Sequence, residues 1–174
     1  VLFVGSRPIS GRYFGDMANY YYVYRTLEGK SFAFDLSLND PVWENFFRWW
    51  ASNRLGFGSF MIVVALGYFG IAYKTCCRIF PYDKLVSYLV FLAAFSTFSY
   101  GTNGLRAGIA GVIFLLALSY AGNWIVCFSL ALVSFGIHHS MVMPIFAMFA
   151  ALAYRKTNVY SSNDSLFILT VLLF

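Results

Sequence analysis

A histidine pair followed by a serine, His138-His139-Ser140, sits between two apolar stretches of the chain. An imidazole exchanges its proton near neutral pH, so either ring can act as a general base or donate a hydrogen bond to a sugar or a phosphate. Physics alone does not choose between His138 and His139. The second reactive feature is Arg106, in Gly101-Thr102-Asn103-Gly104-Leu105-Arg106, the only formal charge from Leu85 to Tyr154. An arginine near a helix end can snorkel to water at small cost. Its planar fork also grips phosphate bidentately, and the free N–H groups of a helix start add anion affinity. Asn103 and two glycines beside it leave the backbone open to a ligand. The third feature is the segment from Arg7 to Tyr20, polar, glycine-hinged and aromatic. Within it Asp16, Asn19 and Tyr20 align on one helical face.

Paired histidines can form half of a metal site, but a metal needs further ligands. Neither the cysteines nor any carboxylate cluster has suitable spacing along the chain, so no metal and no cofactor is expected. Cys76, Cys77 and Cys127 lie in apolar helices and read as packing residues. Tyrosine-rich surfaces stack on sugar rings, yet they also form the interfacial belt of membrane proteins. For Tyr20, Tyr21, Tyr22 and Tyr24 the belt is the better reading.

The elements that must hold these residues follow from composition. Of 174 residues, 60% are apolar and 11% charged, against about 45–50% and about 25% in an average soluble domain. Three cysteines, two of them adjacent, rule out a secreted disulfide scaffold. The class is an all-α, polytopic transmembrane helix bundle in one integral membrane domain over 1–174, a polar segment over 5–56 preceding transmembrane helices over 57–174. Spans are expected at Phe57 to Thr75, Leu85 to Tyr100, Leu105 to Ala121, Trp124 to about Ile137, and Met141 to Tyr154, with a sixth from Leu166 onward. Several are short of the roughly 20 apolar residues a crossing needs, so tilted, broken or re-entrant helices are expected. The apolar runs at Val1 to Val4 and Leu166 to Phe174 read as cut helices, the chain being the middle of a longer protein.

A net charge of +5 does not mark a nucleic-acid binder, because residues 1–56 hold eleven charges of alternating sign and no continuous basic stripe. Lys74, Arg78 and Lys84 flank one short loop, and Arg155 with Lys156 flank another. With the Gly122-Asn123 turn between them, all lie on one face, which the positive-inside rule makes cytoplasmic. The opposite face then receives residues 5–56, the Tyr100 to Arg106 turn and His138-His139-Ser140. Arg7, Asp16, Arg106 and His139 are thereby expected to converge there. Within the polar segment, Asp40 before Pro41 marks a helix start, with aspartate as N-cap and proline at the first helical position. Trp43, Phe46, Phe47 and Trp50 form one apolar stripe, and Glu44 pairs with Arg48 on the other face. The object is an amphipathic helix, either lying in the membrane interface or packed on the bundle.

Three motifs taken in order carry a resemblance: Arg7 with Gly15, Asp16 and Tyr20; Asn103, Arg106 and Ala110; and Phe135, His138, His139 and Ser140. Together they resemble the EpsG-like family of exopolysaccharide and O-antigen polymerases, functionally similar to the Wzy polymerases, over most of residues 5–145. One departure is that Ala107 follows Arg106 where such sequences often carry glutamine, which leaves any glutamine role unfilled. The resemblance implies a multi-pass protein of the bacterial inner membrane and a glycosyltransferase of the polymerase type. Its substrates are oligosaccharide repeat units on undecaprenyl pyrophosphate, transferred to a sugar hydroxyl of another unit at the outer face. Arg106 and Arg7 become candidates for holding the pyrophosphate, with Asn103, Tyr20 and Ser140 as further substrate contacts. His139, His138 or Asp16 is the candidate proton acceptor. The implied partners are lipid-linked oligosaccharide, membrane lipid, and chain-length regulator and flippase proteins, with no nucleic acid. A lipid-linked oligosaccharide flippase and a membrane O-acyltransferase are the rival classes.

Overall fold

The computed structural model describes residues 2–6, 8–10 and 15–157, and no strand occurs among them. The helices run α1 (Leu2–Gly5), α2 (Gly15–Leu27), α3 (Pro41–Ser52), α4 (Phe57–Ile79), α5 (Lys84–Ala93), α6 (Phe95–Thr102), α7 (Leu105–Leu118) and α8 (Trp124–Ile137). A 3-10 turn at His139–Met141 and α9 (Val142–Thr157) follow. The chain divides into two compact units, Val1–His139 and Ser140–Phe174. The second contains α9. Arg7 and the expected helix from Leu166 lie outside the described residues.

The polar segment folds onto α4 through aromatic rings. Phe60 of α4 is fully buried. All four rings of the α3 stripe surround it, at 5.5 Å for Trp43, 5.7 Å for Phe46, 5.0 Å for Phe47 and 6.0 Å for Trp50. Of the two placements open to an amphipathic helix here, packing on a neighbouring helix is the one adopted. Pro41 starts α3 as its spacing predicts, and the Asp40 carbonyl accepts the Glu44 N–H at 2.9 Å. The side chain of Asp40 departs from expectation: it makes no cap bond. It is buried and bonded to Arg106 of α7 instead. The tyrosines are not a uniform belt either. Tyr22 is exposed, whereas Tyr24 is buried and its hydroxyl accepts the Gly56 N–H at 3.0 Å.

Among the described helices, α4, with 23 residues, is long and apolar enough to cross a membrane. The span expected over Leu85 to Tyr100 is broken. α5 and α6 meet at a bend of 68°, and they make a second crossing if the pair is one span. Ala94 takes an extended conformation between them. The Thr97 hydroxyl donates to the Phe91 carbonyl, and Tyr68 donates to the Thr97 carbonyl at 3.4 Å. Side-chain donors of this kind are what allow a broken helix inside an apolar environment. At 14 residues each, α7 and α8 extend about 21 Å, less than the roughly 30 Å of bilayer hydrocarbon.

Helices α7 and α8 form the hairpin that positions Arg106, His138 and His139. Fully buried Ser134 donates its hydroxyl to the Ala110 carbonyl at 2.7 Å, which sets the register of the pair. Arg106 lies four residues before Ala110 and His138 four after Ser134, so one turn beyond the lock both point to the same end. At the other end of α7, Arg78 of α4 donates to the Ser119 hydroxyl at 3.1 Å and sits 3.5 Å from the Tyr120 ring. Gly136 supplies the third constraint. A Cβ there would stand 2.5 Å from Val42 of α3, so only glycine lets the start of α3 approach the end of α8.

Candidate functional site

Close approach of α3 and α8 brings Asp40 against residues far away in sequence. Asp40 is 1% exposed, and its Oδ2 accepts from the Arg106 guanidinium at 2.7 Å. Its Oδ1 accepts the backbone N–H of His139 at 2.8 Å and lies 3.0 Å from His139 Nδ1. His138 Nδ1 stands 3.6 Å from Oδ2, beyond normal hydrogen-bond length. A single carboxylate thus ties together α3, the start of α7 and the end of α8. Burial by itself would raise its pKa. The backbone and ring nitrogens of His139, then the charge of Arg106, then His138 outweigh that effect and hold it below the ordinary aspartate value.

The His139 ring is 63% exposed. In the tautomer protonated on Nδ1, that atom donates to the carboxylate and Nε2 is left as the acceptor. An aspartate holding one face of an imidazole in this way fixes both its tautomer and its orientation, the arrangement found where histidine serves as a general base. Arg106 is 37% exposed and reaches from the carboxylate into a cavity of about 370 Å³. Tyr20 and Trp43, on adjoining helices, stand 5.7 Å apart there. Asp16, Asn19, Glu44 and Arg48 provide its polar wall. Burial pushes the Tyr20 phenol up to about 12, against the opposing charge of Arg106 and with a further push from Asp16 and Asp40. The phenol stays protonated and able to donate a hydrogen bond.

Of the residues singled out by sequence, Arg106, His138 and His139 meet at Asp40, and Asp16 and Tyr20 line the adjoining cavity with Arg106. Asn103 is exposed at the end of α6, with its backbone N–H on the Ser99 carbonyl. Ser140 is exposed and opens the second unit. Arg7 falls outside the described residues. Sequence reasoning missed Asp40 as a member of the site, along with the lining role of Trp43, Glu44 and Arg48. A charge audit could have found the first: an arginine alone in some seventy apolar residues needs a carboxylate, and the polar segment is where the carboxylates are. Asp40 also supplies the acid that local spacing denies to the histidines. One ligand atom from each of Asp40, His138 and His139 lies within 4.8 Å of the others, a group able to hold a metal ion.

No curated protein and no solved structure matches the chain. A sequence model of the EpsG family matches residues 2–174. That match takes in every residue of the Asp40 cluster and of the cavity beside it. The chain therefore belongs to the EpsG family, a family of Wzy-like polymerases.

Proposed function

We propose that this chain is an exopolysaccharide polymerase, a multi-pass protein of the bacterial inner membrane that works at the outer face. It transfers an oligosaccharide repeat unit from undecaprenyl pyrophosphate to a sugar hydroxyl of a second lipid-linked unit. The observation that carries this reading is the buried carboxylate of Asp40, which presents an oriented imidazole and a guanidinium at one solvent-accessible edge. In the transfer, the acceptor hydroxyl loses its proton to Nε2 of His139 while its oxygen bonds to the anomeric carbon. The bond from that carbon to the pyrophosphate oxygen breaks, and the departing charge is met by Arg106. Asp40 keeps His139 in the accepting tautomer and stabilises the imidazolium. Asp16 and Tyr20 contact the sugar in the cavity, and Arg7, Asn103 and Ser140 are further substrate contacts. Chain-length regulator and flippase proteins are the partners this role requires.

Arg106→Lys tests the reading in cells. Lysine keeps the charge and loses the planar fork, so polymer longer than one repeat should fall by about 10²–10³ while the protein still inserts. Unchanged chain lengths from R106K would remove the pyrophosphate role.

A further inference from the structure

Proton transfer does not account for the Nδ1 of His138. This atom is buried and has no hydrogen-bond partner, yet it points at a carboxylate oxygen 3.6 Å away. Two ligands of one first-row divalent ion, each about 2.0–2.2 Å from it, stand roughly 3.0–3.5 Å apart at tetrahedral or octahedral angles. His139 Nδ1 stands 3.0 Å from Oδ1 of Asp40 and His138 Nδ1 3.6 Å from Oδ2, so each ring nitrogen lies at or just beyond that spacing from one oxygen of the carboxylate. We infer that Asp40, His138 and His139 form a binding site for a first-row divalent cation of the zinc type.

The surroundings support it. Arg106 on Oδ2 and the His139 backbone N–H on Oδ1 hold the carboxylate in place, as outer-shell partners do around metal ligands. Two imidazoles and one carboxylate suit zinc, cobalt, nickel or iron and disfavour magnesium and calcium, which take oxygen. Three protein ligands leave coordination positions open for water or a phosphate oxygen, and the exposed His139 ring gives access from solvent. The consequence for activity rests on the polymerase reading. An ion on Nδ1 keeps the ring proton on Nε2, so the loaded protein loses its proton acceptor, and the ion acts as an inhibitor rather than a cofactor.

The full chain, purified in detergent with a histidine-free tag, is titrated with Co2+ in the absence of substrate and followed by visible absorption. One equivalent should bind and give the d–d bands of a nitrogen and oxygen site without thiolate charge transfer. His138→Ala should weaken binding by at least ~100-fold. Because His138 Nδ1 holds no hydrogen bond, this variant keeps the fold, which its thermal unfolding checks. Absence of a bound ion, thiolate bands, or equal affinity in H138A would each overturn the site. The readout needs no turnover, so it stands or falls separately from the polymerase reading.

Discussion

Replacing Asp40 by asparagine removes one negative charge and almost no volume, which makes it the cleanest probe of the cluster. The amide oxygen can still accept the His139 N–H, now 2.8 Å from Oδ1. The amide NH2 must then face the Arg106 guanidinium 2.7 Å from Oδ2, donor against donor. One charge-assisted bond is lost, about 1.5–3 kcal/mol. The full 3–5 kcal/mol of a broken buried pair is not reached, because Arg106 is 37% exposed and can turn to water. The expected loss is about 2 kcal/mol, or roughly 4–8 °C in melting temperature for a chain of this size. Thermal unfolding in detergent of D40N, Arg106→Gln and the double variant measures it. The cycle should show a coupling of about 1–2 kcal/mol. D40N within about 0.5 kcal/mol of wild type, or strictly additive substitutions, would refute the pairing.

Phe60→Ala empties the centre of the ring cluster on α4 and should cost about 3–5 kcal/mol, read by the same unfolding measurement. Gly136→Ala places a Cβ 2.5 Å from Val42; it should loosen the approach of α3 to α8 and with it the bond from the His139 N–H to Asp40, so that this amide exchanges faster than in wild type, as hydrogen exchange reports. Asp40 has a lowered pKa in the folded protein, so its stabilising contribution is present above the unfolded value near 3.9 and is lost as pH falls through the folded value. The stability gap between wild type and D40N should therefore close below about pH 4.

Much of the architecture was legible because it is local. The 3.6-residue stripe of Trp43, Phe46, Phe47 and Trp50 and the Asp40-Pro41 start name the first residue and the packed face of α3. Uninterrupted apolar length names α4, and the lone charge and the histidine pair single out Arg106, His138 and His139, which the fold brings together around Asp40. Broken helices were legible but the place of this one was not, since no glycine or proline marks the bend at Ala94 and the break is held by Thr97 of α6 and by Tyr68 from α4. The role of Asp40 was hidden for a related reason. Its partners lie 66 and 99 residues away, while its immediate neighbours make a complete case for a helix cap. The side chain follows the stronger electrostatic demand of a half-buried arginine, and the helix starts on proline without it.

Reconstituted transfer tests the central claim most directly. Purified wild-type protein and His139→Ala, in vesicles loaded with lipid-linked repeat units, are compared by the ladder of chain lengths on a gel. Loss of the general base predicts a rate lower by about 10²–10⁴, with single lipid-linked repeats remaining and the variant inserted and folded. A wild-type ladder from H139A would show that the Asp40 cluster holds the fold together and does not perform the transfer.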